Sequence, residues 1–207
     1  MKKNLIILSL ITVSLLVTSC FSSGSGDRKE LRDRLKEILD EEQEEVEMEN
    51  VEINGLYSMD VPEHMTASLT MNDDASLQYM NETRNEYVIV IDEDKEEFKT
   101  IFQALGMYDD DLSLIENYAI SQESFTMEAA TSVLDEEDIE KIKIGRYPAR
   151  RKNFDAKVAG VLVPIAYSLA FIEGEDNLYM IMAWTSKSKR DDYEETVSKM
   201  FKSFREL

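Results

Sequence analysis

Hydrophobic and polar positions fall into three regimes along this chain. Residues 5–17 form an apolar run diluted only by Ser9, Thr12 and Ser14. Across residues 27–50 apolar side chains are sparse. Leu31, Leu35, Ile38 and Leu39 stand at i, i+4, i+7 and i+8, a single stripe on an otherwise charged helix. Asp27, with Glu30 three residues on, supplies the start signal. Residues 40–49 are almost wholly acidic. Such a stretch reads most simply as a solvated spacer, and one heptad of stripe is too short to define a coiled-coil handle.

Beyond residue 50 the pattern becomes that of a folded domain. Asn54-Gly55 predicts a turn, and residues 56–61 a strand closed by Pro62. Residues 75–81 and 86–91 flank Glu82-Thr83-Arg84-Asn85 and predict a hairpin. The unbroken Val88-Ile89-Val90-Ile91 is typical of a strand buried on both faces. Asp94 and Glu97 open a helix with Phe98, Ile101, Phe102 and Leu105 on one face, and Gly106 ends it. A second helix is expected over residues 112–130. Strands follow over 139–144 and 150–158, with a turn at Gly145 and Pro148 between them. Two more, over 165–172 and 178–185, flank the loop Glu173-Gly174-Glu175-Asp176-Asn177. In the last strand Leu178, Met180, Met182 and Trp184 face one way, and Tyr179, Ile181 and Ala183 the other. Both faces are apolar, so helices are expected on both. Ser188 and Asp191 open a closing helix whose stripe is Tyr193, Val197, Met200, Phe201 and Phe204. Hairpins and short connections leave little room for parallel crossovers. The expected class is α+β, a three-layer α/β/α sandwich around a mainly antiparallel sheet.

The N-terminal run is thirteen residues long, short of the ~20 needed to span a bilayer. Lys2-Lys3 precede it, and Val17-Thr18-Ser19-Cys20 follow, the shape of an export signal. Phe21-Ser22-Ser23-Gly24-Ser25-Gly26 reads as a flexible tether. A cysteine at the cleavage point resembles the lipobox of bacterial lipoproteins. That resemblance implies acylation of Cys20, removal of the leader and a stable hold on the membrane through two or more chains. The expected organisation is therefore a cleaved lipoprotein signal peptide over 1–19, a tether over 20–26, an acidic helical stalk over 27–50 and a globular domain over 51–207. The resemblance places the protein in the bacterial cell envelope. Phe21 lacks the acidic character that resembles inner-membrane retention, which favours the outer membrane in a diderm host.

Composition narrows the chemistry. Cys20 is the only cysteine, so no disulfide or cysteine metal site exists within one chain. The formal charge is −20, from 23 basic and 43 acidic residues, and loss of Lys2 and Lys3 with the leader makes it more negative. A surface of that sign repels phosphate backbones, which argues against nucleic acid, and repels anionic head groups, which leaves a covalent membrane link.

The order of elements resembles the Mog1/PsbP-like fold over residues 54–206. The resemblance rests on Tyr57-Ser58-Met59-Asp60-Val61-Pro62, on a hairpin followed at once by a helix over 75–105, on Gly145-Arg146-Tyr147-Pro148-Ala149-Arg150 leading into long strands, and on the closing Ser203-Phe204. It implies no shared catalytic residues and no cofactor. Members are mostly binding or assembly modules, so the expectation is a non-enzymatic module with a protein partner.

Candidate sites follow from the residues. Arg146, Arg150, Arg151 and Lys152 crowd together in an acidic chain and suit a carboxylate, phosphate or acidic partner. Alternation along a strand separates Arg151 from Arg150 and Lys152, and pairing with internal acids is the ordinary alternative. A small molecule or peptide held near Arg150 is the second functional expectation. His64 is the only histidine. A hydrolase would have to use it, with no nucleophile motif in support. The acidic runs 92–94, 109–111 and 135–138 lack the spacing of a calcium loop and suit caps and turns, with Asp94 and Asp111 at cap positions. The methionines at 59, 65, 71 and 80 suit core filling, or the lining of a groove.

Overall fold

The computed structural model describes residues 46–207. The expected leader, the tether with Cys20, and the stalk up to residue 45 lie outside the described residues. The elements run β1 (Met48–Ile53), β2 (Tyr57–Pro62), β3 (Thr66–Ala67), β4 (Leu77–Asn81), β5 (Glu86–Asp94), α1 (Lys95–Ala104), α2 (Leu114–Glu128), β6 (Ser132–Glu136), β7 (Glu140–Ile144), β8 (Tyr147–Lys157), β9 (Ile165–Glu173), β10 (Asn177–Ser186), a 3-10 turn (Lys187–Lys189), α3 (Arg190–Ser203) and β11 (Arg205–Glu206).

An eight-stranded sheet runs β3-β4-β5-β10-β9-β8-β6, with β7 pairing the other stretch of the same edge of β8. Every pairing in it is antiparallel. A small sheet, β1-β2-β11, stands apart. Helices α1 and α2 bury Phe98, Phe102, Ile115 and Tyr118 against Phe154, Leu169, Phe171, Leu178 and Met180 on one face of the large sheet. Helix α3 and β2 bury Tyr193, Val197, Met200, Met59 and Val61 against Val88, Val90, Ala170, Ile181 and Ala183 on the other. This is the expected α+β three-layer sandwich, and the two faces of β10 divide as the alternation required.

Tyr57, Tyr179 and Phe204 close the α3 side. Their rings lie 5.4, 5.5 and 4.8 Å apart, and all three side chains are buried. Asp94 caps α1 by accepting the Glu97 N–H at 2.8 Å. Among the described residues, no helix is long and apolar enough to cross a membrane.

Several boundaries differ from the sequence pattern. Residues 48–50, assigned to the stalk, begin β1, which pairs with β2 across the Asn54-Gly55 turn. Both turn residues have positive φ, and the Leu56 N–H donates to the Ile53 carbonyl at 2.8 Å in a three-residue connection between the paired Ile53 and Tyr57. Met48, Val51 and Ile53 pack on the core, but the acids between them hide that periodicity. Strand β6 leaves no period in the sequence, because all five of its residues are exposed and show no buried face. Ile101 on α1 and Leu105 at its C-cap are exposed, and only Phe98 and Phe102 of α1 face the core. Ser113, and not Asp111, caps α2, while Ser188 falls inside the 3-10 turn and Lys189 takes the cap position of α3.

Candidate functional site

Strand β8 carries the cationic cluster, and its pleat divides it. Arg150 and Lys152 point toward α2. The Arg150 guanidinium is buried, with Nη2 donating to Glu116 Oε1 at 2.8 Å and Nη1 to the Ala149 carbonyl at 3.0 Å. Lys152 Nζ, also buried, lies 2.6 Å from Glu123 Oε1 and 3.2 Å from Glu136 Oε2. The hydroxyl of Ser113 and then Arg150 hold the Glu116 carboxyl down at about 2. Burial alone would lower the Lys152 pKa, but hydrogen bonds to Glu123 and Glu136 outweigh it and raise it.

Arg151 points to the opposite face and pairs with Glu194 of α3. Arg146 sits in the turn before β8, exposed, pairs with Glu175 at 2.5 Å and lies over the Tyr147 ring. The four cations therefore form no common surface, and each already has a carboxylate.

His64 Nε2 lies 2.6 Å from Glu86 Oε2. Among the described residues no serine hydroxyl bonds that ring. The acidic runs serve local structure. Asp94 caps α1, Asp109 accepts the Asp111 N–H, and Glu93 accepts Gln122 Nε2 at 2.9 Å, with burial raising its pKa. No group of three or more metal-binding side chains converges among the described residues.

The concave feature lies elsewhere. Strand register brings Phe154, Tyr167, Trp184 and Tyr87 into one row across β8, β9, β10 and β5. Phe154 and Tyr167 stack at 4.8 Å, and Trp184 and Tyr87 stack at 5.2 Å with planes 6° apart. The half-buried end of this row, with Ile89 and Met182, floors a groove of about 350 Å³. One bank is the loop at Met71 and Asn72, pinned because Gln78 Oε1 accepts both of their N–H groups while its Nε2 donates to the Asn72 carbonyl. The other bank is the loop between β8 and β9, where Val161, Leu162 and Val163 are exposed, Leu162 completely. No charged side chain lines the groove.

No protein-family model matches the chain, and no curated protein matches its sequence. Solved structures do. Cyanobacterial PsbP (CyanoP) from Synechocystis sp. PCC 6803 superposes with a TM-score of 0.52 at 9% identity, over 80% of this chain and 96% of that one. The Ran-binding protein Mog1p of Saccharomyces cerevisiae does so with a TM-score of 0.50 at 14% identity, over 77% and 95%. The domain has the Mog1/PsbP-like fold.

Within this Mog1/PsbP-like domain the sequence pointed to charged residues and missed the aromatic row. Met71, singled out as a groove-lining candidate, does line it, while Met59 and Met65 fill the core. The missing signal was register. Tyr87 and Trp184 are almost a hundred residues apart, and only the antiparallel pairing of β5 with β10 makes them neighbours.

Proposed function

We propose that this chain is a non-enzymatic binding module, tethered to a membrane of the bacterial cell envelope by lipid on Cys20, and that the groove between the two loops is its binding surface. The observation that carries this reading is an open, uncharged, aromatic-floored groove in a domain whose conspicuous cations are internally paired. Buried aromatics and apolar walls with few polar groups are the usual furniture of a ligand site, and the volume falls in the range of such sites. A protein partner seated between the loops, in keeping with the Ran-binding role of Mog1p, is the first form of this proposal. A small-molecule ligand is the second, moved from the vicinity of Arg150 to the groove because Arg150 is buried beneath α2.

The test uses the lipidated chain in its host, with a photo-crosslinking residue at Val163 or, as control, at Glu194 on the far face. The groove position is expected to give a discrete adduct that the control lacks. Identical patterns at both positions would remove the groove from the proposal. Intact-mass analysis of the purified protein tests the anchor, and a product without acyl mass on Cys20 would refute it.

A further inference from the structure

We propose that the groove takes the acyl chain of a single-chain anionic amphiphile, with the head group at the end of the sheet marked by Arg84 and Lys189. This rests on the reading of the groove as a binding surface and names its ligand class.

The floor belongs to β5, β10 and β9, interior strands whose backbone groups are committed to neighbours on both sides. A peptide laid across them would find no free sheet edge, and its own N–H and C=O groups would be desolvated without partners. An acyl chain carries no such groups. A sugar is disfavoured by a different feature. Trp184 and Tyr87 are nearly parallel and stack on each other, so one face of each is already engaged. The polar groups of Asn72 are also largely committed, its N–H and carbonyl to Gln78 and its side-chain oxygen to the Asp74 N–H. What remains for a ligand is chiefly hydrocarbon from Ile89, Met182, Val158 and Val163.

Charge points to the head group. Asn85 and Ser186 mark one end of the groove, in the β4–β5 turn and at the close of β10. At that end Lys189 Nζ donates to the Arg84 carbonyl at 2.9 Å, which sets the ammonium beside the turn. Arg84, in that turn, is exposed. Among the described residues neither of these two cations pairs with a carboxylate, in contrast to Arg150, Arg151 and Lys152. In a chain of formal charge −20, two such cations beside one mouth complement an anionic head group.

Trp184 is the only tryptophan and sits in the floor, so its emission reports on the groove alone. The experiment titrates the full chain carrying Cys20→Ser with saturated fatty acids of increasing length, below their micelle-forming concentrations, and with chain-brominated analogues as contact quenchers. Saturable quenching of Trp184 is expected, with affinity rising about fourfold per added methylene until the groove is full. Lys189→Ala is expected to weaken the fatty acid severalfold and leave the matched 1-alkanol unchanged. Val163→Glu, at an exposed position on the bank, should abolish quenching in a protein whose melting curve is unaltered. Absence of quenching at every chain length, or affinity independent of length, overturns the acyl assignment. Equal loss for acid and alkanol in Lys189→Ala overturns the placement of the head group. A groove-specific crosslink at Val163 without acyl binding would leave the binding surface standing and defeat only this inference.

Discussion

Arg150 and Lys152 at one end, and Tyr167 and Trp184 at the other, share the same face of the same sheet. Three rows of side chains cross it. Arg150 lies in register with Phe171, Lys152 with Leu169, and Phe154 with Tyr167. The first two rows lie under α2, which supplies Glu116 and Glu123 to two buried cations. The third runs outward to half-buried Trp184 and Tyr87, where loops replace helices as neighbours. The difference teaches that charge marks the closed end here and neutrality the open one. A buried cation demands its carboxylate and leaves nothing for a ligand. A row of half-buried aromatics makes no such demand and leaves apolar surface that a ligand can still cover.

The sharpest way to break this comparison is to remove the carboxylate and not the cation. Glu116→Ala leaves the Arg150 guanidinium buried with only the Ala149 carbonyl. It is expected to lower the urea midpoint clearly, because a buried charge is left without its carboxylate. Arg150→Met fills similar volume without a charge and is expected to cost less than about 1 kcal/mol. Urea unfolding of the two variants distinguishes them. Equal costs would mean that the Arg150 end is held by the attraction itself, and that its charge was not simply buried and neutralised.

Acid separates the same two ends by a smaller effect. In the folded protein the Glu116 carboxyl titrates at about 2, against an ordinary 4.5, because of Ser113 and Arg150. A depressed carboxyl stabilises the fold above its unfolded pKa, and that contribution is lost as pH falls. Stability is therefore expected to drop between about pH 4.5 and pH 2, with a shallower drop in Glu116→Gln. Glu93, whose pKa burial raises, contributes a slope of the opposite sign and is common to both proteins. The aromatic end has no charged lining, so the Trp184 emission of natively folded protein should not follow this titration. Urea midpoints across that pH range, read by far-ultraviolet circular dichroism and by Trp184, make the test. Parallel curves for wild type and Glu116→Gln would remove Glu116 as the source.

Much of the architecture was legible because burial imposes periods. The two faces of β10, the stripe of α3 and the Asp94 cap each leave a local signature, and all three hold. Strands β1 and β6 left none, since β1 is interleaved with acids and β6 is exposed along its length. The groove was illegible for a different reason. Its floor depends on strand order and register between distant segments, which no local window contains, whereas the cationic cluster is contiguous in sequence and conspicuous for that alone.

Arg146 provides the mildest test, because it is the one member of that cluster in the open. Its pair with Glu175 is exposed on both sides, and its guanidinium lies 5.2 Å from the Tyr147 ring. Exposed pairs and exposed cation–π contacts each contribute at most about 1 kcal/mol. Water solvates Glu175 as soon as the arginine is gone, so Arg146→Ala is expected to leave the urea midpoint nearly unchanged. The same substitution should leave groove binding, read at Trp184, unchanged, since Arg146 lies in the β7–β8 turn at the end of β8 away from the groove. A clear loss of binding in Arg146→Ala would restore the cationic cluster as the recognition surface, and would mean that internal pairing in the free protein does not withdraw a surface arginine from a partner.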